Sequence, residues 1–291
     1  MKKKSMKSSG SMEKQSKNKG GKGKFGKTSE KGANDENGGC SQLGNTVGYA
    51  PETICVELVP GFGFSALCSG SDTTNYGGGA CNLVSKAWLE LLSHSHDVKI
   101  VLNNAWLCKS DIEQGEVTAE SVQKILPYGY KVVLIEMTGQ EIEPVLQDAA
   151  YAVYDGVPGA YTYGAGIRFK VDFVNRDTDV GFVYDVEVNP GLSGEWLPLN
   201  PTETYLVATN NAVADGAPGY ELIHSTFKDR VTTLDYTDAE LFLKYATTVC
   251  TLEDLPLSEY STQEFHGLNA LIEGSYPCLE DESFCHCYSC D

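Results

Sequence analysis

The chain lacks any apolar run close to the roughly 18 residues that a membrane-spanning helix requires, so it is read as having no transmembrane segment. Its opening stretch, MKKKSMKSSGSMEKQ, has a charged start but no apolar stretch behind it, so no secretory signal is expected in the sequence as it stands. That leaves a protein that is not secreted, or a piece of a longer precursor. Asn-x-Ser/Thr sites with a permissive middle residue are missing, which argues against N-glycosylation. GxSxG and HExxH are missing too, which removes two common hydrolytic signatures. Histidine is sparse, with only His94, His96, His224, His266 and His286. His94-Ser95-His96-Asp97 has the composition of a metal site, but it falls between a helix and a strand and reads as a solvated turn.

Charge is plentiful and unevenly distributed. Residues 1–39 carry 11 Lys against 4 acids, while the rest of the chain carries 11 Lys and Arg against 36 acids. So acidic a body repels nucleic acid and anionic membranes, and no specific nucleic-acid partner is expected. The basic stretch reads as a solvated, disordered tail over 1–43. Within it, Gly21 to Thr28 matches the phosphate-loop pattern GxxxxGK[ST]. That pattern works only between a strand and a helix, and here polar low-complexity sequence lies on both sides.

Cysteine is abundant: ten residues, at 40, 55, 68, 81, 108, 250, 278, 285, 287 and 290. This density points to an oxidising compartment, that is, an extracellular, periplasmic or cell-surface location. It pulls against the absent signal. The last segment, 271–291, is acidic and Cys-rich. Its CxCxxC spacing is not that of a standard zinc finger, so a disulfide-tied tail is the preferred reading.

Between the tails, 44–270 reads as one folded domain. Strands are predicted at 54–59, 98–104, 131–138, 167–174, 182–188 and 204–210, and helices at 82–94, 119–126, 140–154 and 238–248. Helices alternate with strands early, and strands pair later. The expected class is α+β, with mixed sheets and packed helices. Asn75 to Gly79 reads as a flexible turn before a helix.

Several ordered pieces carry a resemblance. They are Gly115-Glu116-Val117-Thr118, Leu126-Pro127-Tyr128-Gly129, Met137-Thr138-Gly139-Gln140-Glu141-Ile142, Ala165 to Phe169 and Tyr205 to Asn210, with VGYAPETICVELVPG at 47–61 and LPLSEYSTQEF at 255–265. From about Asn45 to His266 the chain resembles the C-terminal domain of the 5′-nucleotidase and UDP-sugar hydrolase family. The resemblance implies that family's fold and a role in nucleotide catabolism. In the family, a separate N-terminal domain holds two metal ions and hydrolyses the substrate, and the C-terminal domain binds the nucleoside. The metal motifs D-x-H and GNH-[DE] do not occur here. No cofactor is therefore expected in this chain, and divalent metals only if a metallophosphatase domain is supplied elsewhere, including in trans. No catalytic residue is assigned.

The same resemblance implies a worn substrate site. Where the family reads NGGGIR, this chain reads Asn104-Ala105-Trp106-Leu107-Cys108-Lys109. Asn104 is kept, Lys109 stands for the arginine without its bidentate fork, and Trp106 replaces a glycine and could stack from a new direction. Tyr128 stands where the family places the first ring of a base clamp. In Asn210 to Tyr220, Ala212 stands in place of the second ring and Pro218 in place of a substrate-binding aspartate, while Gly219 is kept. Pro60 to Ser65 resembles PGxGRS without its arginine. Cys55 and Cys68 flank that turn, as a similar pair does in bacterial members, which implies a disulfide. The resulting expectation is a non-catalytic or weakly nucleotide-binding module. The alternatives are a fragment or partner subunit of a secreted metal-dependent 5′-nucleotidase and a structural or cell-surface interaction protein.

Overall fold

A computed structural model describes residues 45–174, 181–192 and 194–268. The expected basic tail, the phosphate-loop-like stretch and the Cys-rich segment lie outside the described residues.

In chain order the elements are β1 (Thr46–Ala50), α1 (Gly70–Thr73), α2 (Gly79–His96), β2 (Ile100–Asn104), β3 (Gly115–Thr118) and α3 (Ala119–Ile125). They continue with β4 (Lys131–Thr138), α4 (Gly139–Tyr154), β5 (Thr162–Ala165), β6 (Ile167–Asp172), β7 (Val183–Val188) and β8 (Leu197–Pro198). The remainder are β9 (Thr204–Asn210), α5 (Asn211–Ala214), α6 (Glu221–Phe227), β10 (Thr232–Thr237), α7 (Asp238–Val249) and β11 (Thr262–His266). The class is α+β with mixed sheets, as the alternation of periods implies.

Strands β10-β4-β9-β2-β5 form the central sheet, in that order. Only β2 and β9 run parallel within it. β2 is buried along its whole length, with the apolar Ile100-Val101-Leu102 followed by two buried amides, Asn103 and Asn104. A second sheet has the order β11-β6-β7-β8, and β1 pairs with β3. Helix α2 packs on β2 and β5 and against α7, with Trp88 fully buried. It ends where Asp97 turns left-handed at φ 60° and its amide closes on the Leu92 carbonyl. His94, exposed, and His96, half-buried, therefore belong to the last helical turn, with His94 Nδ1 2.9 Å from the Glu90 carbonyl. Helices α3, α4 and α7 each open on a threonine capping box, worth about 1 kcal/mol apiece. No helix among the described residues is long and apolar enough to cross a membrane.

The strand expected at 54–59 does not form. Ile54 alone makes a bridge, with Ile112. Beyond it the backbone donors turn to side chains: the Val56 amide to Asp111 at 2.7 Å and the Leu58 amide to Glu57 at 2.9 Å. The apolar run is buried without belonging to a sheet. Asn75 to Gly79 is likewise no loose turn. Gly77, Gly78 and Gly79 are buried, and a Cβ at Gly78 would collide with the Glu57 amide and the Cys55 carbonyl. Close packing requires Gly78 and Gly79, and Gly77 in addition turns left-handed at φ 78°.

Cys55 and Cys68 are bonded, with Cα atoms 6.0 Å apart. A second disulfide joins Cys81, in the first turn of α2, to Cys108. Cys250 is disulfide-bonded as well, so all five cysteines among the described residues are.

Candidate functional site

The pairing of the central sheet decides which motif residues meet. β2 and β9 run parallel, so their carboxyl ends lie side by side, and β4, antiparallel to β9, begins at the same end. This end therefore carries Asn104, Asn210 and the approach to Lys131. The Asn210 amide donates to both Asn103 and Asn104 at 3.3 Å, and its carbonyl oxygen accepts from the Val213 amide at 3.0 Å. Asn103 in turn donates to Ser85. All four side chains are buried. Asn104 is thus engaged inside the protein as a member of an amide network that fixes where β2 ends.

The next residues make a single helical turn, Ala105–Leu107, and present Trp106 and Lys109. Three further ties hold this loop. Cys108 is bonded to Cys81. The Lys109 amide donates to the Ile125 carbonyl at 2.9 Å. Asp111 accepts from the Val56 amide, from Ser65 Oγ at 2.9 Å and from the Leu67 amide at 3.3 Å.

The side chains then converge. Lys109 Nζ stands 5.1 Å from the Trp106 ring centre and 5.5 Å from that of Tyr128. Tyr128, 47% exposed, stacks on Tyr130 at 5.0 Å with planes 26° apart. Trp106 is half-buried and lies so close over Gly159 that any Cβ there would enter its ring. Its Nε1 is buried without a hydrogen-bond partner. Lys109 and Tyr128 thus form part of one cation–aromatic group, together with Trp106 and Tyr130. Tyr130 is the member that family motifs did not reveal.

Other motif positions have different surroundings. Ala212 is half-buried in α5, whose first residue, Asn211, accepts from the Lys131 amide at 2.8 Å. Pro218 is exposed. Gly219, at φ 84°, is buried where a Cβ would meet Ala149, Ala152 and Ala160, so close packing against α4 accounts for the glycine. Pro60 to Ser65 folds inward over the Glu57 carboxylate, which accepts from the amides of Gly63 and Phe64 at 2.8 and 3.0 Å. Among the described residues, no three His, Cys, Asp or Glu side chains are grouped to hold a metal ion. These residues do not form a two-metal centre.

Behind the rings lies Asp238, fully buried, with Oδ2 lacking any partner. Its amide donates to the Tyr130 carbonyl at 2.8 Å. Burial pushes its carboxyl up from the ordinary 3.8 to about 6. Burial also raises the Tyr130 hydroxyl, with smaller contributions from Tyr128 and Asp238. A carboxyl raised on folding takes up its proton more readily in the folded state. Its contribution to stability therefore falls as pH rises from about 4 to about 6. Asp238→Asn is expected to stabilise the fold by about 1–2 kcal/mol at pH 8, after discounting for screening and for the imperfect amide fit. At pH 4 the gain should vanish. Urea denaturation at the two pH values checks this, and a gain that does not depend on pH would refute it.

A family model described as 5′-nucleotidase, C-terminal domain, matches residues 56–225, more than half of the chain. The NAD 5′-nucleotidase of Haemophilus influenzae is 34% identical over 152 residues, which cover 51% of this chain and 25% of that protein. A probable 5′-nucleotidase of Treponema pallidum is 31% identical over 150 residues, with the same coverage. The solved Haemophilus influenzae NAD nucleotidase superposes with a TM-score of 0.64 at 26% identity, over 76% of this chain and 38% of that one. A 5′-nucleotidase precursor from Thermus thermophilus shares the fold, with a TM-score of 0.63. The chain therefore matches about a quarter of the length of these curated relatives.

Proposed function

The chain belongs to the family of 5′-nucleotidase C-terminal domains, and from that premise we propose that it is a nucleotide-recognition module of weak affinity that does not itself hydrolyse its ligand. One observation carries this reading: a half-exposed Tyr128 ring beside the Lys109 ammonium, at the sheet end where Asn104 and Asn210 fix the loops. A tyrosine face accepts a base of any identity by stacking, and a lysine beside it supplies a point charge for an anionic group. Ala212 provides no second ring, and the glycines that would let a ligand approach the 104–109 backbone are replaced. Each lost contact is worth about 1–3 kcal/mol, so a dissociation constant of about 0.1–1 mM is expected for AMP.

Calorimetric titration of the full chain with AMP, adenosine and UDP-glucose tests the proposal. Tyr128→Ala should weaken AMP binding about tenfold or more. Micromolar binding to the unaltered chain would overturn the weak affinity, and binding that ignores Tyr128→Ala would overturn the site.

The relatives' length favours a second reading, in which the domain serves a metallophosphatase domain carried on the same gene or on a partner chain. An upstream reading frame encoding D-x-H and GNH-[DE] would support it; a transcript that starts at Met1, with no phosphatase co-purifying, would count against it. The disulfides support an oxidising location for either form.

A further inference from the structure

We infer that Tyr130 is a positioning residue: it covers one face of the Tyr128 ring and holds that ring in place, so that the other face is presented, already oriented, to a nucleobase. The inference rests on the reading of Tyr128 as a stacking surface. It adds the residue that turns an exposed ring into a fixed one.

An exposed tyrosine on a loop is an inefficient surface. Its ring samples several rotamers, and a ligand that stacks on it loses part of the contact energy in holding it still. The local sequence removes that cost. Tyr128 and Tyr130 flank Gly129, which turns left-handed at φ 62°. Nothing lies within 4 Å of the place where a Cβ would stand, so this glycine serves the backbone angle and not close packing. With that turn the two rings meet, 5.0 Å between centres and 26° between planes, within the range of a favourable stack.

The two tyrosines are not equivalent. Tyr128 is exposed, whereas Tyr130 is half-buried. Tyr130 is also the better anchored. Its carbonyl accepts from the amide of Asp238, the first residue of α7, at 2.8 Å. The next amide, that of Lys131, donates to Asn211 Oδ1 at 2.8 Å, and Lys131 opens β4 in the central sheet. The fixed ring is thus Tyr130, and the ring it steadies is Tyr128. An aromatic pair of this kind shifts a population by about two- to tenfold. Holding the ring before binding improves affinity by up to the same factor. The covered face is closed to ligand, so the base stacks on one side only.

The test is an amide chemical-shift titration of the full chain with AMP, run on the unaltered protein, Tyr130→Phe, Tyr130→Ala, Tyr128→Ala and the double alanine variant, with the Tyr128 ring protons recorded in each that retains them. Tyr130→Phe keeps the stack and should bind as the unaltered protein does. Tyr130→Ala should weaken AMP by about two- to tenfold and move the Tyr128 ring protons downfield, as its neighbour's ring current is lost. In the Tyr128→Ala background the same change should have no further effect, because Tyr130 acts only through Tyr128. Tyr130→Leu, which keeps apolar bulk without a ring face, carries the same expectations where the alanine variant does not fold. If Tyr130→Ala binds AMP as tightly as the unaltered chain or more tightly, if Tyr130→Phe is weakened as much as Tyr130→Ala, or if the loss persists without Tyr128, the positioning role fails while the stacking surface stands. If Tyr128→Ala leaves AMP binding unchanged, the stacking surface itself fails and takes the inference with it.

Discussion

Replacing Cys81 and Cys108 together by alanine is expected to destabilise the fold by about 3–4 kcal/mol and to lower the melting temperature by about 10 °C. The bridge closes a sequence separation of 27 residues. Restricting a loop of that size in the unfolded chain accounts for the figure by itself. Both cysteines are fully buried, so small voids left by alanine add to the loss rather than offset it. The bridge also bonds the start of α2 to the residue just before Lys109, so its removal should loosen the Trp106–Lys109 loop as well as the fold. The matching Cys55→Ala, Cys68→Ala pair closes a separation of 13 residues and should cost somewhat less, about 3 kcal/mol. Denaturant titration of both double variants in oxidising buffer measures the difference. A loss below about 1 kcal/mol for the Cys81 and Cys108 pair would show that the unfolded chain gains little freedom from the cut.

How far the sequence disclosed this architecture depended on whether a signal was local. The strands at 131–138 and 204–210 agree with β4 and β9 residue for residue, because each is an apolar or alternating run bounded by turn formers. The helix expected at 119–126 forms as Ala119–Ile125, and Pro127 just after it is the local signal that ends it. The run at 54–59 misled because it has the composition of a strand, while its amides bond to Asp111 and Glu57 across the chain; no window of neighbouring residues reports that. β1, β10 and β11 were missed for a related reason. They are short and acquire strand character only from partners far away in the chain, such as β3 for β1 and β6 for β11. The site divides in the same way. Family motifs pointed to Lys109 and Tyr128, which the sheet end brings within 5.5 Å. Tyr130 and Asp238 were not singled out, since their roles arise from stacking and burial. Asn104 and Gly219 were legible as retained letters, yet in the fold one belongs to an amide network and the other to a packed turn.

Glu57→Gln should destabilise the fold by about 2–3 kcal/mol, or about 6–10 °C in melting temperature, although it removes a buried charge. Two effects oppose each other. Burial raises the Glu57 carboxyl above its ordinary 4.5 against the pull of its hydrogen-bond donors, so a neutral side chain would be easier to bury. Against this stands the geometry. Oε1 accepts from the amides of Leu58 and Phe64, and Oε2 accepts from the Gly63 amide and Thr73 Oγ1, all between 2.8 and 3.0 Å. Four donors converge on a group that must accept only. A glutamine has to turn its own N–H groups toward one of those pairs. The Thr73 hydroxyl can rotate and accept, but the Gly63 amide cannot, so the better of the two orientations strands one backbone donor in the interior. An unsatisfied buried amide costs about 1–3 kcal/mol, and the charge-assisted bonds lost with it are the stronger kind. Relief of the buried charge is spread over a group already surrounded by dipoles, so the geometric loss should win. The consequence reaches the site, because this carboxylate holds the 57–64 loop, and Asp111 ties the adjoining residues Ser65 and Leu67 to the segment that bears Lys109. Thermal melting of the single variant decides the matter: an unchanged or raised melting temperature would mean that desolvation outweighs the four donors.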